Sequence, residues 1–142
     1  MAKIQINTPQ NVLFTTELTV QIADINYGGH LANDAVLRLC HEVRMRWLAA
    51  TGWSELNAGG AGLIMTDAAV QYRAQAHHGD VLRVVLGAED VGGGRFALLY
   101  VLERVSDGLN IAQVRTGMAC FDYAAQKPVR LPAELKNALE AV

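Results

Sequence analysis

A short segment near the N-terminus gathers residue types that can carry out acid–base chemistry. Residues 24–34 read DINYGGHLAND and hold Asp24, Asn26 and His30 within seven positions. Histidine is well suited to accept and return a proton near neutral pH. A carboxylate such as Asp24 can orient an imidazole, as it does in catalytic triads. Asn26 has neither a charge nor a basic lone pair, so it can orient a water or a carbonyl but cannot be the base.

A helix that follows this segment would bring its first turn close to these side chains. The pattern predicts a helix over residues 34–51, with Asn33 or Asp34 as its cap and Gly52 as the left-handed residue after its end. Its apolar stripe consists of Val36, Leu39, Cys40, Val43, Trp47 and Leu48. The first turn of a helix offers free N–H donors and a positive dipole end, which suit a developing negative charge.

The remaining chain reads mainly as strands. Strand patterns cover residues 13–25, 63–74, 80–91, 95–106 and 109–123, and a short helix is predicted at 133–141. Gly92–Gly94 and Asp107–Gly108 mark turns between strands, and Lys127–Pro128 breaks the last pattern. Strands joined mostly by hairpins form an antiparallel sheet, and the single long helix must cover one of its faces. The predicted fold class is therefore α+β.

Composition limits the possible functions. The 142 residues fit one domain, 51% of them are hydrophobic, and the net charge is −2. This balance excludes intrinsic disorder, which needs low hydrophobicity and high net charge. It also argues against a bulk nucleic-acid binder, which usually carries a basic excess. The hydrophobic fraction is high for so small a domain.

Targeting signals are not evident in the sequence. No apolar run approaches the roughly 18 residues that a membrane span needs. Residues 1–10 lack the apolar core of a secretion signal, so a cytoplasmic protein is expected. Cys40 and Cys120 are then expected to be reduced, buried thiols.

Several motifs occur in the order typical of one family. Residues 24–34 resemble the D-x-D-x-x-G-H-x-x-N segment of 4-hydroxybenzoyl-CoA-thioesterase-like proteins. Residues 41–48 (HEVRMRWL) loosely resemble the E-x-x-R-like part of their central helix. Residues 72–80 (YRAQAHHGD) are similar to their Y…G-D strand and turn, and residues 122–132 (DYAAQKPVRLP) to their D…KP-x-x-LP ending. The resemblance covers nearly the whole chain.

This resemblance implies a hotdog fold, in which a curved antiparallel sheet wraps around one long central helix. Residues 1–142 would form a single hotdog thioesterase domain. The implied activity is hydrolysis of an acyl thioester, usually of coenzyme A, without a cofactor. The implied assembly is a homodimer or a dimer of dimers, with the active site between subunits at the N-terminus of the central helix.

The same resemblance suggests roles for individual residues. The backbone N–H of Asn33 is the first candidate for the oxyanion donor. Asn26 stands where a well-known branch of the family has its catalytic carboxylate, so the base must be another group. His30 is one candidate, with Asp24 to orient it. Glu42 is another, acting across the dimer interface, although an ion pair with Arg38 or Arg46 in its own helix is the favoured interpretation.

Binding of coenzyme A requires cations near its phosphates. Arg73 is the favoured candidate, because it lies in the strand nearest the family's site. No metal is expected, since His77 and His78 lack a third ligand at metal spacing.

Two other functions remain open at this point. The absence of an acid at position 26 also suits a non-catalytic acyl-CoA sensor or binding module. A hotdog enoyl-CoA hydratase uses a D-x-N-x-x-H motif, from which the wider spacing of Asp24 and His30 departs.

Overall fold

The computed structural model of the chain describes residues 3–141. Its elements in chain order are β1 (Val12–Thr19), a 3₁₀ turn (Ile22–Asp24), α1 (Asn33–Thr51), β2 (Gly62–Tyr72), β3 (Val81–Gly92), β4 (Arg95–Arg104), β5 (Asn110–Asp122), β6 (Lys127–Pro128) and α2 (Ala133–Glu140). Within the described residues, these strands form one six-stranded sheet. Every pairing in it is antiparallel. The prediction of an antiparallel sheet with one long helix is therefore confirmed.

The sheet order is β1-β3-β4-β5-β2, with β6 beside β5. Tight turns at Gly93 (φ 63°) and Gly108 (φ 71°) join β3 to β4 and β4 to β5, as the glycine and Asp-Gly signals predict. Strand β2 pairs with β5 rather than with β3. The connection over residues 73–80 therefore spans the end of the sheet, and β1 and β2 are left as the two edge strands.

Helix α1 packs against one face of this sheet. Its buried stripe consists of Ala35, Val36, Leu39, Cys40, Val43, Arg44, Trp47 and Leu48. These side chains share one core with apolar residues of β3, β4 and β5. Burial of such a stripe is the main reason a helix of this length is stable in water. None of the helices in residues 3–141 is long and apolar enough to cross a membrane.

The sequence predicts a cap at each end of α1, and only the prediction for the C-terminal end is correct. The helix ends at Gly52 in the left-handed conformation (φ 83°), as predicted. It begins at Asn33, with Ala32 as N-cap and no side-chain cap bond. The prediction that Asn33 or Asp34 caps the helix is therefore wrong. The N–H groups of the first turn have no side chain of this kind to satisfy them.

Two boundary predictions are also wrong. The strand predicted over residues 13–25 ends at Thr19, and Ile22–Asp24 forms the 3₁₀ turn that leads towards α1. Ile22 had suggested continued alternation, yet its side chain is 69% exposed. Lys127–Pro128, predicted as a break, pairs with Asp122 and Phe121 as strand β6.

Candidate active site

A cavity of about 340 Å³ opens at the N-terminus of α1. Its walls come from the loop before the helix, the first turns of α1, the end of β2 and the start of β5. Asn26, His30 and Asn33 line it from one side, and Tyr72 and Arg73 line it from the other. Three of the residues singled out in segment 24–34 thus meet at one place.

The loop before α1 is shaped by the side chain of Asn26. Its Oδ1 accepts hydrogen bonds from the backbone N–H groups of Gly28 (2.9 Å) and His30 (3.2 Å). The Asn26 backbone N–H donates to the carbonyl of His30 (2.9 Å), and Leu31 N–H donates to Ala76 (2.8 Å). The amide oxygen is thus committed to the loop, while the Asn26 amide nitrogen has no hydrogen-bond partner among the described residues.

The first turn of α1 is fixed to β2 by a tyrosine. The Tyr72 hydroxyl donates to the carbonyl of Asn33 (2.9 Å). Desolvation, and secondarily the nearby Asp34 carboxylate, raise the pKa of Tyr72, so the hydroxyl remains a donor at neutral pH. No side chain caps α1, and the hydrogen bonds of residues 3–141 include none from the N–H of Asn33, a residue that lines the cavity. The unpaired N–H groups of a helix start suit a ligand oxygen that carries negative charge.

Two of the candidate residues lie elsewhere. Asp24 accepts from the Gln21 N–H (2.8 Å) and lies 3.6 Å from Arg38, and the hydrogen bonds of residues 3–141 include none between Asp24 and His30. Glu42 pairs with Arg46 at 2.7 Å, the ion-pair arrangement considered for it. Neither carboxylate lines this cavity.

Arg73 is placed to meet an anion. Its Nε donates to Gln113 (3.0 Å) and its Nη2 to Gln71 (3.1 Å), and both partners are neutral amides. Within residues 3–141 no carboxylate lies in ion-pair distance of Arg73, whereas Arg83 pairs with Glu17 and Arg115 with Glu89. The charge of Arg73 at the cavity is therefore not neutralised by the fold.

The chain is similar to characterised proteins along most of its length. Residues 20–139 match the family described as the thioesterase-like superfamily. A 1,4-dihydroxy-2-naphthoyl-CoA hydrolase of Synechocystis sp. is 28% identical over 89% of this chain and 94% of its own length. The enzyme of that name from Thermosynechococcus vestitus is 31% identical over 86% of this chain and 88% of its own. The crystal structure of a 1,4-dihydroxy-2-naphthoyl-CoA thioesterase from Synechocystis superposes with a TM-score of 0.81, at 26% identity, over 91% of this chain and 96% of that chain.

The chain belongs to the thioesterase-like superfamily. The predicted family, hotdog fold and activity class of thioester hydrolysis are thereby confirmed. Relatives named as hydrolases do not favour the hydratase or the non-catalytic binding module.

Two features of this thioesterase were missed from the sequence. The first is that His77 packs edge-on against His30, with ring centroids 5.2 Å apart. From the sequence, His77 was considered only as a metal ligand, and that role was not assigned to it. Among the described residues no cluster of three metal-binding groups occurs. The His77–His30 contact depends on the 73–80 connection lying beside the loop before α1. Strand order decides that placement, and periodicity does not report strand order.

The second missed feature is a polar network inside the core. Arg44, 6% exposed, donates to the Tyr100 hydroxyl (3.1 Å), which lies 3.0 Å from Thr116 Oγ1. Burial raises the pKa of Tyr100, so this hydroxyl is neutral. The Arg44 Nε lies 3.6 Å from Glu55. Arg46, two positions further along α1, is exposed, and only the helical phase relative to Cys40 and Trp47 could have indicated that Arg44 faces inward.

A second cavity, of about 650 Å³, lies at the other end of β2. Ile64, Cys120 and Phe121 give it apolar walls, and Arg95 and Arg130 stand at its rim beside the Gly92–Gly94 turn. No ion-pair partner for either arginine occurs among residues 3–141.

Proposed function

We propose that this protein hydrolyses an acyl-CoA thioester whose acyl group is planar and aromatic. The observation that carries the proposal is the uncapped start of α1, which opens onto a cavity also lined by His30 and Asn26. A thioester carbonyl needs an anion-stabilising donor and an activated nucleophile, and this cavity offers candidates for both. The aromatic acyl group is suggested by the names of the two cyanobacterial relatives.

In the proposed reaction, a water molecule attacks the thioester carbonyl carbon while His30 accepts its proton. The carbonyl oxygen becomes an oxyanion and receives a hydrogen bond from the Asn33 N–H. When the carbon–sulfur bond breaks, His30 returns the proton to the departing sulfur. The products are the free acid and coenzyme A thiol, and the base is regenerated.

Asn26 orients the reacting groups in this scheme. Its oxygen is already occupied by the loop, so its amide nitrogen is the atom available to donate to the substrate carbonyl or to a water. Asp24 acts indirectly in this scheme, because its carboxylate accepts from the Gln21 N–H and so stabilises the turn before the loop. The family resemblance gives Glu42 a role as a base that acts across a dimer interface. That role requires a second subunit, to whose cavity Glu42 would then contribute.

The phosphates of the coenzyme A part of the substrate are proposed to bind to arginine side chains. Arg73 has an unneutralised charge at the rim of the first cavity, and guanidinium groups bind phosphates through charge-assisted hydrogen bonds. Arg95 and Arg130 present the same chemistry at the second cavity.

The site is proposed to be completed by a second copy of the chain. Strand β2 is an edge strand whose residues 65–68 are exposed, and unpaired strand edges favour pairing with another strand. Antiparallel pairing of two β2 edges would bring Tyr72 of one copy towards the Ile64 end of the other. The catalytic cavity would then adjoin the second cavity of its neighbour. The proposed compartment is the cytoplasm, which suits two buried free thiols, Cys40 and Cys120.

A thiol-release assay over a panel of aromatic and straight-chain acyl-CoA thioesters tests the proposal. Turnover is expected, with the highest kcat/KM for a bicyclic aromatic acyl group. The His30→Ala variant is expected to lose a factor of about 100 or more in kcat, which is the usual contribution of a general base. His78→Ala is the matched control, since His78 is an exposed histidine of the neighbouring turn. Absence of turnover on the whole panel would contradict the proposed function.

A further inference from the structure

His77 touches the proposed base without lining the catalytic cavity. The rings of His77 and His30 meet edge to face, with centroids 5.2 Å apart and planes at 61°. Such T-shaped contacts have a preferred geometry, and they are stabilising beyond the area that they bury. His77 is not among the residues that form the cavity walls, and it adjoins the cavity through its contact with His30.

The backbone of His77 is joined to a network of charged side chains centred on Asp80. The Asp80 carboxylate accepts from the His77 N–H (2.9 Å) and lies 3.7 Å from His77 Nδ1. The same carboxylate oxygen accepts from Arg104 of β4 at 3.2 Å. Arg104 is in turn paired with Asp107 at 3.1 Å. These bonds attach the turn that carries His77 to the β4–β5 hairpin.

The backbone of the same connection is joined to the loop of His30. Leu31 donates to the carbonyl of Ala76 (2.8 Å), one residue from each histidine. Arg104 donates to the carbonyl of Gln75 (3.0 Å). The relative position of His30 and His77 is therefore set by backbone bonds as well as by the ring contact.

We propose that His77 is a positioning residue for the hydrolysis described above, and that its ring fixes the orientation of the His30 imidazole towards the cavity. The inference rests on the proposed role of His30 as base. A general base must lie within about 3 Å of the proton that it accepts, so rotation of the ring removes it from reach. The role assigned to His77 is to restrain this rotation, and that role requires no contact between His77 and the substrate.

Steady-state kinetics with three variants test the assignment. His77→Ala is expected to lower kcat by about tenfold to a hundredfold, the usual effect of a misplaced catalytic group, with KM unchanged within about twofold. His77→Phe keeps an aromatic edge against His30 and is expected to recover kcat to within about threefold of the parent. His78→Ala, the adjacent exposed histidine, is expected to change neither constant.

Two outcomes would overturn the inference: an unchanged kcat in His77→Ala, or a loss that His77→Phe does not recover. The double variant His30→Ala/His77→Ala is expected to be no slower than His30→Ala alone, and an additive further loss would likewise overturn it. Full activity in His30→Ala would instead refute the proposed base.

An NMR measurement separates the inference from the activity. The ring protons of His30 are expected to shift in His77→Ala and to keep their positions in His78→Ala, whether or not a substrate is turned over. Unmoved His30 signals in His77→Ala would show that the two rings are not in contact in solution, and would overturn the assignment.

Discussion

At the scale of single residues, Asn26 shows how one amide side chain can shape the loop before α1. The Asn26 Oδ1 accepts from two backbone N–H groups, a task that a carboxylate oxygen performs equally well. The difference lies in the second polar atom, which is a hydrogen-bond donor here and would be an anionic acceptor in aspartate. The loop geometry and the chemistry of position 26 are therefore separable.

The free energy of unfolding of Asn26 variants can separate the contribution of this side chain to the loop geometry from its chemistry. Asn26→Asp retains both accepted bonds and is expected to unfold within about 1 kcal/mol of the parent in urea, whereas Asn26→Ala is expected to lose about 1–2 kcal/mol. The loss is moderate because both bonds are solvent-exposed. An alanine variant as stable as the parent would show that the side chain does not shape the loop.

Arg73 supplies a prediction about substrate affinity. Replacement of its unneutralised guanidinium in Arg73→Gln is expected to raise KM for an acyl-CoA by about tenfold, by removing a charge-assisted phosphate bond. The same acyl group on N-acetylcysteamine has no phosphate, and its KM is expected to be unchanged. Arg83→Gln serves as control, because Arg83 is already paired with Glu17. Equal effects on both substrates would exclude phosphate recognition.

The cysteines lead to a prediction about pH. Burial raises the pKa of the Cys120 thiol to about 11 from 9.0, so the neutral thiol persists until the pH approaches that value. At pH 8 the reactive thiolate is then about a hundredfold scarcer than for an ordinary thiol. Alkylation by iodoacetamide, followed by peptide mapping, is expected to be at least that much slower in the native than in the unfolded protein. Native labelling at the unfolded rate would contradict this burial.

Sequence reasoning at this scale succeeded where neighbours in the chain are neighbours in space. Asn26, His30 and Asn33 lie in one segment, and the structure brings them to one cavity. The orientation of His30 by Asp24 was also expected from proximity, yet the Asp24 carboxylate turns towards Gln21 and Arg38. Contacts between distant segments need the strand order first.

At the scale of elements, hydrophobic periodicity predicted the long strands and α1 but could not order the strands. Side-chain alternation reports which face of a strand is buried, and it is the same whichever neighbour the strand has. The pairing of β2 with β5 is consequently invisible in residues 63–74. Residues 3–11 cover part of strand β3, where Asn7 donates to Glu89 (2.9 Å) and Pro9 lies against Gly87. This covering was equally hidden, because residues 3–11 carry no pattern of their own.

Gly87 tests that covering. A Cβ at Gly87 of β3 would collide with Pro9 and lie 2.7 Å from the backbone oxygen of Asn11. Gly87→Ala is therefore expected to destabilise the fold by about 1–3 kcal/mol in urea unfolding, the usual cost of overpacking. Gly92→Ala is the control on the same strand, since a Cβ there meets nothing within 4 Å. Equal stability of the two variants would show that the N-terminal segment does not pack on β3 in solution.

At the scale of the whole molecule, the proposed pairing of two β2 edges gives the high hydrophobic fraction a use, because each partner of a standard interface contributes roughly 800 Å² of surface. Met65 and Tyr72 on the β2 edge strand are each 48% exposed and are candidates for this contact.

Disruption of this edge gives a test of assembly and activity together. A lysine on an edge strand disfavours strand pairing, so Met65→Lys is expected to convert a dimer into a monomer by sedimentation velocity. If the active site is completed between subunits, kcat/KM of that variant is expected to fall at least about tenfold, since substrate-positioning groups would be lost.

Val12→Lys is the matched control, because Val12 is a 55% exposed apolar residue on the opposite edge strand, β1. It is expected to leave both the sedimentation coefficient and kcat/KM unchanged. A monomeric Met65→Lys variant with full activity would mean that each subunit contains a complete site. A parent protein that sediments as a stable, active monomer would refute both the dimer and the shared site, and the exposed edge of β2 would then need another partner.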